Sequence, residues 1–518
     1  MFKKKINGPV VLLIMDGVGS YRPYKGNAVA YAETPNLEQL WRTYPTALLH
    51  ASSRYVGLPE GIKGNSEVGH MNLSAGKIVL QDLPRINKSI LDKKFFTNKV
   101  LKDLVKEASL NSRTTIHLMG AMSDGEVHST IEHLKALLLF FKLYEFDTSR
   151  IRIHAFTDGR DAPPKSAFSY FFNVDNFMRE YRIQAKFSTI IGRRFAMDRN
   201  RQWDYTKQAY DLLTQFKGQR ASDWGKALEN AYRQVDSDEF IPPIVLDFPG
   251  NKPIQKGDVI LAFNYRADRM IQLMDAFVME DFDHFPRVLE PKDVSVYSLN
   301  YYGRRFAGKI HHVFPKIMVG DNIGKIISDY GLKQLRIAES VKFPHITYFF
   351  NGGMNVVYPF EDRIKIPTDH RLSFDANPKM QVYKITDALI ENLQKGEYDF
   401  YVVNFANGDM VGHTGNIKAA KEAMHHIDVC VKKAVDAVLK ANGVLLITAD
   451  HGNVEEMLDP ITGAVDTEHS IYPVPFIAVG KDYAFRPPII GKLSDVSLTV
   501  LNILGIPIPG TYDGQVLV

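Results

Sequence analysis

Aspartates and histidines gather in a few short stretches of this chain. Asp409 and His413 stand in Asn407-Gly408-Asp409-Met410-Val411-Gly412-His413-Thr414-Gly415. Asp450 and His451 are adjacent, follow an apolar run and precede Gly452. His469 lies in Thr467-Glu468-His469-Ser470, and Asp16 ends the apolar run Val10–Met15. Together they offer three carboxylates and three imidazoles. A mixed oxygen and nitrogen donor set suits divalent first-row metals such as manganese or zinc, whereas an all-oxygen set would favour magnesium or calcium. Alone, each aspartate reads as a cap or turn residue and each histidine as a satisfied core or surface group. Their conjunction points to a metal centre.

A nucleophile candidate is Ser66, in Gly61-Ile62-Lys63-Gly64-Asn65-Ser66-Glu67-Val68-Gly69-His70. The flanking glycines allow close backbone approach to a phosphate or metal. The plain alternative is a loop and helix N-cap. No Gly-x-Ser-x-Gly pattern supplies a neighbouring base. A free serine hydroxyl is a poor nucleophile, but coordination to a divalent cation lowers its pKa, so a serine without a histidine partner is coherent in a chain rich in metal ligands.

The middle of the chain carries arginine instead. Arg160, Arg193, Arg199, Arg266 and Arg269 all fall at or soon after apolar runs. Arginine binds carboxylate and phosphate in bidentate fashion, so several converging arginines imply a small polyanion bearing both groups. Any one of them alone would be an ordinary surface ion pair. Asp161 and His128 read as acid–base groups or as caps, and Lys342 as a group that could meet a phosphate.

These residues need elements to hold them. Short apolar runs at Val10–Met15, 401–405 and Val444–Thr448 each lead into acidic residues, with a long helical pattern over 417–439 between the last two. Runs at 114–119, 151–156, 185–191 and 259–264 lead into the basic ones. Strand, helix, strand order predicts βαβ units and mostly parallel sheets, whose ligands bind beyond the carboxyl ends of the strands. Acidic strand ends occur in the outer parts of the sequence and basic ones between them. The economical arrangement is α/β with two domains. One, of residues 1–80 and 317–518, is built from both termini, and an inserted second α/β domain spans 88–312, with connectors near 81–88 and 313–320.

A length of 518 residues with 45% hydrophobic content also favours two cores over one. The net charge of +4 is small for that length and gives no reason to expect nucleic acid or membrane partners. The single cysteine, Cys430, excludes an internal disulfide and any cysteine-based zinc site, and a cytoplasmic location is the simplest reading. Lysines at 3–5, the run Val10–Met15 and Ala28-Val29-Ala30 mimic a signal peptide, but the apolar run is short and ends in Asp16, so a buried strand is expected. No apolar stretch approaches the ~20 residues that span a bilayer.

Taken together, several motifs resemble one family. They are Met15-Asp16-Gly17, Gly64-Asn65-Ser66-Glu67-Val68-Gly69-His70-Met71-Asn72, His154-Ala155-Phe156-Thr157-Asp158-Gly159-Arg160-Asp161, Ala196-Met197-Asp198-Arg199, Phe263-Asn264-Tyr265-Arg266-Ala267-Asp268-Arg269 and Thr448-Ala449-Asp450-His451-Gly452-Asn453. The resemblance is to cofactor-independent phosphoglycerate mutase, of the alkaline phosphatase superfamily. It implies an alkaline-phosphatase-like terminal domain and a phosphotransferase insert. It further implies a glycolytic isomerase that interconverts 3-phosphoglycerate and 2-phosphoglycerate through a phosphoserine at Ser66, without bisphosphoglycerate. One metal would be held by Asp409, His413 and His469, the other by Asp16, Ser66, Asp450 and His451. Manganese fits best, with magnesium, cobalt or zinc as alternatives. His128, Arg160, Asp161, Arg193, Arg199, Arg266 and Arg269 would hold the glycerate, Asp161 would carry its proton, and Lys342 would stabilise the transferring phosphoryl group. A monomer is implied. Gly408 replaces an expected proline and Arg194 an expected aromatic, and neither change removes a ligand. The rival readings are a related metal-dependent phosphatase, sulfatase or phosphopentomutase, and a non-catalytic metal-binding descendant.

Overall fold

Val10–Met15 is an unbroken apolar run in which every residue is buried. Such a run suits a strand covered on both faces, and it lies at the centre of a sheet, paired in parallel with Phe400–Phe405 on one side and Val444–Thr448 on the other. The computed structural model describes residues 6–481 and 490–518, so the lysines at 3–5 lie outside the described residues. The chain divides into two compact units, Met1–Gln81 with Ile317–Val518, and Asp82–Lys316. Among the described residues no helix is long and apolar enough to cross a membrane.

In the first unit the described strands form one eight-stranded sheet. Its order is Glu361–Ile366, Gln334–Glu339, Phe400–Phe405, Val10–Met15, Val444–Thr448, Val474–Val479, Thr46–His50 and Ile490–Lys492. Val474–Val479 runs antiparallel to both neighbours, and the other pairings are parallel. The helix Ile417–Lys440 leads from the Phe400–Phe405 side to Val444–Thr448. It buries Ala420, Ala423, Met424, Ile427, Val431, Ala434 and Val438, the three-and-four spacing of one helical face.

The second unit has its own eight-stranded sheet, ordered His311–Phe314, Ser295–Asn300, Val259–Ala262, Ile116–Met122, Ile151–Thr157, Lys186–Gly192, Ile244–Leu246 and Gln219–Ala221. Only the pairing of Lys186–Gly192 with Ile244–Leu246 is antiparallel among those described. Successive residues of its central strands feed opposite faces. Leu118, Ile153 and Leu261 join one apolar cluster, while Met119, Phe156 and Ile260 join the other.

Two local expectations change. The stretch read as a connector at 81–88 is helical over Asp82–Leu91, because Leu83 and Ile86 recur at helical spacing and are buried. His128 is not a helix cap: it lies in the loop before Thr130, whose side chain caps Ile131–Leu143.

Candidate functional site

Asp16 follows the central strand of the first unit, and its neighbours bring two other segments against it. Gly17 has φ +75°, and a Cβ there would fall 2.6 Å from the Asp409 backbone. Glycine thus lets the Asp409 N–H donate to the Asp16 carbonyl at 2.9 Å. Asp409 lies within the short helix Asn407–Gly412, and His413 is its C-cap. Asp450 and His451 follow Val444–Thr448, so three loops meet at adjacent strand ends.

Ser66 is the first residue of the helix Ser66–Ala75, which Asn65 caps by accepting from the Val68 N–H at 3.0 Å. A helix N-terminus presents free N–H groups and positive potential, which favour a phosphoryl anion. The Ser66 Oγ lies 2.9 Å from His451 Nε2 and 3.3 Å from Asp16 Oδ1. Lys342 Nζ donates to Ser66 Oγ, Asp16 Oδ1 and Asp409 Oδ2, each at 2.6 Å. Burial works against the Lys342 charge, but Asp16, Asp409 and Asp450 outweigh it and hold the ammonium above the ordinary lysine range.

The remaining donors close around the same carboxylates. His469 Nε2 is 3.0 Å and His413 Nε2 3.2 Å from Asp409 Oδ1. Backbone carbonyls orient both rings, Thr467 for His413 Nδ1 at 2.7 Å and Gly64 for His469 Nδ1 at 2.8 Å. His451 stacks on His469 with centroids 3.9 Å apart. Its Nε2 faces all three carboxylates, at 3.5 Å from Asp450, 3.6 Å from Asp16 and 3.8 Å from Asp409.

Two donor groups can each close on a cation, with donor atoms within 4.8 Å of one another. They are Asp409 with His451 and His469, and Asp16 with His70 and Asp450. Three buried carboxylates face one ammonium here, and such a surplus of buried negative charge is costly unless cations offset it. The donor chemistry therefore fits divalent metals. Grouping by proximity differs from grouping by resemblance, since His451 lies between the two sets.

Two residues of this centre carry no role from sequence. His70 Nδ1 lies 3.1 Å from Asp450 Oδ2 and 2.8 Å from the Ser66 carbonyl. Asn404 donates to Asp16 Oδ2 at 2.8 Å and lies 3.1 Å from His70 Nε2. His70 follows Ser66 by one helical turn, and Asn404 is the polar interruption of an apolar strand; both are signals that spacing alone could have raised.

In the second unit three of the predicted arginines pair with three aspartates. Arg193 is 2% exposed and pairs with both Asp158 and Asp161 through Nη1. Ser123 donates to Asp158 at 2.5 Å. Burial disfavours the Asp158 charge, but Ser123 and Arg193 override it and keep the carboxyl below its usual range. Asp268 collects Arg199 at 2.6 Å, Arg266 at 3.1 Å and His128 Nδ1 at 3.4 Å. His128 Nε2 also lies 3.7 Å from Asp161. Burial, then the Arg193 charge, pushes His128 down to about 4, so it is neutral at pH 7. Arg269 donates to the Met197 carbonyl at 3.1 Å, and burial with the charges of Arg193, Arg199 and Arg160 lowers its pKa. Arg160 is largely exposed and makes one long pair, 3.6 Å to Glu239. Asp158 and Asp268 are the further residues here that sequence reading left without a role.

A family model, the metalloenzyme superfamily, matches residues 8–508. A 2,3-bisphosphoglycerate-independent phosphoglycerate mutase of Clostridioides difficile is 42% identical over 516 residues, covering 98% of this chain and 99% of the relative. One of Methanosarcina acetivorans is 43% identical over 514 residues, covering 98% and 97%. The chain belongs to the 2,3-bisphosphoglycerate-independent phosphoglycerate mutases. A crystal structure of Leishmania mexicana phosphoglycerate mutase at low cobalt concentration aligns over 100% of this chain and 99% of its own, with TM-score 0.63 and 31% identity. As a phosphoglycerate mutase the chain is an isomerase, and its metalloenzyme membership agrees with the donor groups around Ser66.

Proposed function

We propose that this chain interconverts 3-phosphoglycerate and 2-phosphoglycerate through a phosphoserine at Ser66, without bisphosphoglycerate. The observation that carries this reading is the position of Ser66 Oγ, at a helix N-terminus within 2.6 Å of Lys342 Nζ and 2.9 Å of His451 Nε2. The first unit is then a phosphatase-like metal domain and the second the substrate domain. The active form is a cytoplasmic monomer.

Two divalent ions, manganese foremost, would be held by Asp409, His413 and His469, and by Asp16, Ser66, Asp450 and His451. When bound, they supply positive charge that favours the serine alkoxide and offsets phosphoryl charge. Ser66 Oγ attacks phosphorus as the bond to the glycerate oxygen breaks, and that oxygen takes a proton carried by Asp161. Glycerate reorients, its other hydroxyl returns a proton to Asp161 as its oxygen attacks the phosphoserine, and the bond from phosphorus to Ser66 Oγ breaks to free the serine. Lys342 steadies charge on the transferring group. His128, Arg160, Arg193, Arg199, Arg266 and Arg269 grip the acid.

The test is conversion of 3-phosphoglycerate with no bisphosphoglycerate added, before and after chelation and after return of Mn²⁺. Loss on chelation with recovery on Mn²⁺ is expected. Full turnover after exhaustive chelation would overturn the metal role. Phosphate release without isomer formation would make the chain a hydrolase.

A further inference from the structure

Glu455 is fully buried, four residues beyond His451. Its Oε2 accepts the backbone N–H of Gly19 and that of Asn453, each at 2.9 Å. Its Oε1 accepts the Ser470 hydroxyl. Gly19 comes three residues after Asp16, Asn453 two after His451, and Ser470 directly after His469. One carboxylate therefore ties together three separate segments that carry proposed metal ligands. The two backbone N–H groups can only donate, so the position requires an acceptor oxygen for them, while the Ser470 hydroxyl donates here and can also accept. The surrounding chain is shaped to admit it, since a Cβ on Gly19 or Gly452 would fall 2.2 or 2.0 Å from Glu455 Oε1. Two further bonds lace the same segments, Ser470 N–H to the Gly452 carbonyl at 2.9 Å and Val454 N–H to the Gly17 carbonyl at 3.1 Å.

We infer that Glu455 is a positioning residue for the metal centre, holding the segments of Asp16, Asp450–His451 and His469 in ligating register and so setting divalent-ion affinity. Groups behind the direct ligands of a metal commonly tune affinity in this way. The inference rests on the metal reading of the site given above.

The test is calorimetric titration of the chelator-stripped full chain with Mn²⁺, alongside the melting temperature of each metal-free protein. Glu455→Ala should weaken Mn²⁺ binding about 10- to 100-fold. Glu455→Gln should return to within about fivefold of wild type, because its amide oxygen can accept both N–H groups while Ser470 turns to accept from the NH₂. Ser470→Ala, which deletes one bond of the three, should weaken binding about three- to tenfold, and it carries the test if Glu455→Ala does not fold. A melting temperature lowered in the variants with the wild-type Mn²⁺ dissociation constant would make Glu455 merely structural and overturn the inference. So would Glu455→Gln binding as weakly as Glu455→Ala. A wild-type chain that takes up no Mn²⁺ would remove the metal reading itself and the inference with it.

Discussion

Lys342 Nζ donates to Ser66 Oγ at 2.6 Å, from a position that is itself only 3% exposed. An ammonium held charged against a serine oxygen lowers the free energy of the anionic oxygen and of any charged group transferred to it. It also partly neutralises Asp16 and Asp409 when no cation is bound.

Replacing Lys342 by Met should therefore act twice. Turnover should fall by about 10²–10³-fold, as for loss of one preorganised donor. The metal-free protein should lose about 3–5 kcal/mol, because buried carboxylates are left unpaired. Mn²⁺ should then raise the melting temperature of the variant more than that of the wild type. Equal Mn²⁺-induced increments in the two proteins would show that Lys342 does not stand in for cation charge.

Ser66→Ala should abolish isomerisation, by on the order of 10⁴-fold or more, as removal of a nucleophile does. Mass analysis of wild-type protein quenched during turnover should find a phosphoryl group on the peptide containing Ser66. Near-normal turnover of the alanine variant would end the phosphoserine route.

Arg193→Lys should impair substrate capture rather than metal uptake. Asp158 and Asp161 both meet one guanidinium nitrogen, Nη1, which a lysine ammonium can replace, but a lysine has no planar fork to grip a substrate carboxylate or phosphate in bidentate fashion. KM for 3-phosphoglycerate should rise about tenfold or more, with the Mn²⁺ dissociation constant unchanged. A variant that lost Mn²⁺ affinity but kept its KM would contradict the division of labour between the units.

Acid should weaken the second unit through its buried neutral histidines. His133 is fully buried, donates through Nε2 to Asn87 Oδ1 at 2.8 Å, and burial pushes it down to about 3. The unfolded chain takes a proton near pH ~6.5 that the folded chain refuses until about 3. Its contribution is thus intact above that upper value and is lost as pH falls, at up to ~1.4 kcal/mol per pH unit. His117 and His154, lowered chiefly by burial, act with the same sign. Tryptophan fluorescence can follow this unit, because Trp203 and Trp224 lie in it and only Trp41 does not. Denaturant titrations from pH 7.5 to 5 should show a shallower loss in His133→Leu than in wild type, and an identical slope would refute the assignment.

Much of this was legible in sequence because the central strands are apolar on both faces. Val10–Met15 and Val444–Thr448 have the ends that their composition suggests, and the helix at 417–439 extends by one residue. The strand next to one edge of the first sheet was not legible: Thr46–His50 alternates buried and half-buried residues over only five positions, too short for periodicity to speak. The donors around Ser66 were visible as residue types. The partners that aim them were not, because Glu455 reaches Gly19 across 436 positions and Asn404 reaches Asp16 across 388. Such contacts follow from strand order, which local pattern does not encode.

That strand order also sets a timetable for synthesis. Val10–Met15 has its parallel neighbour in Phe400–Phe405, about 390 residues later, whereas the second unit is complete once Lys316 has been made. At roughly 5–20 residues per second a ribosome needs about 20–80 s to cover that gap. The second unit can therefore fold while the most apolar strand of the first still lacks a neighbour, leaving that strand a natural client for chaperones on the nascent chain.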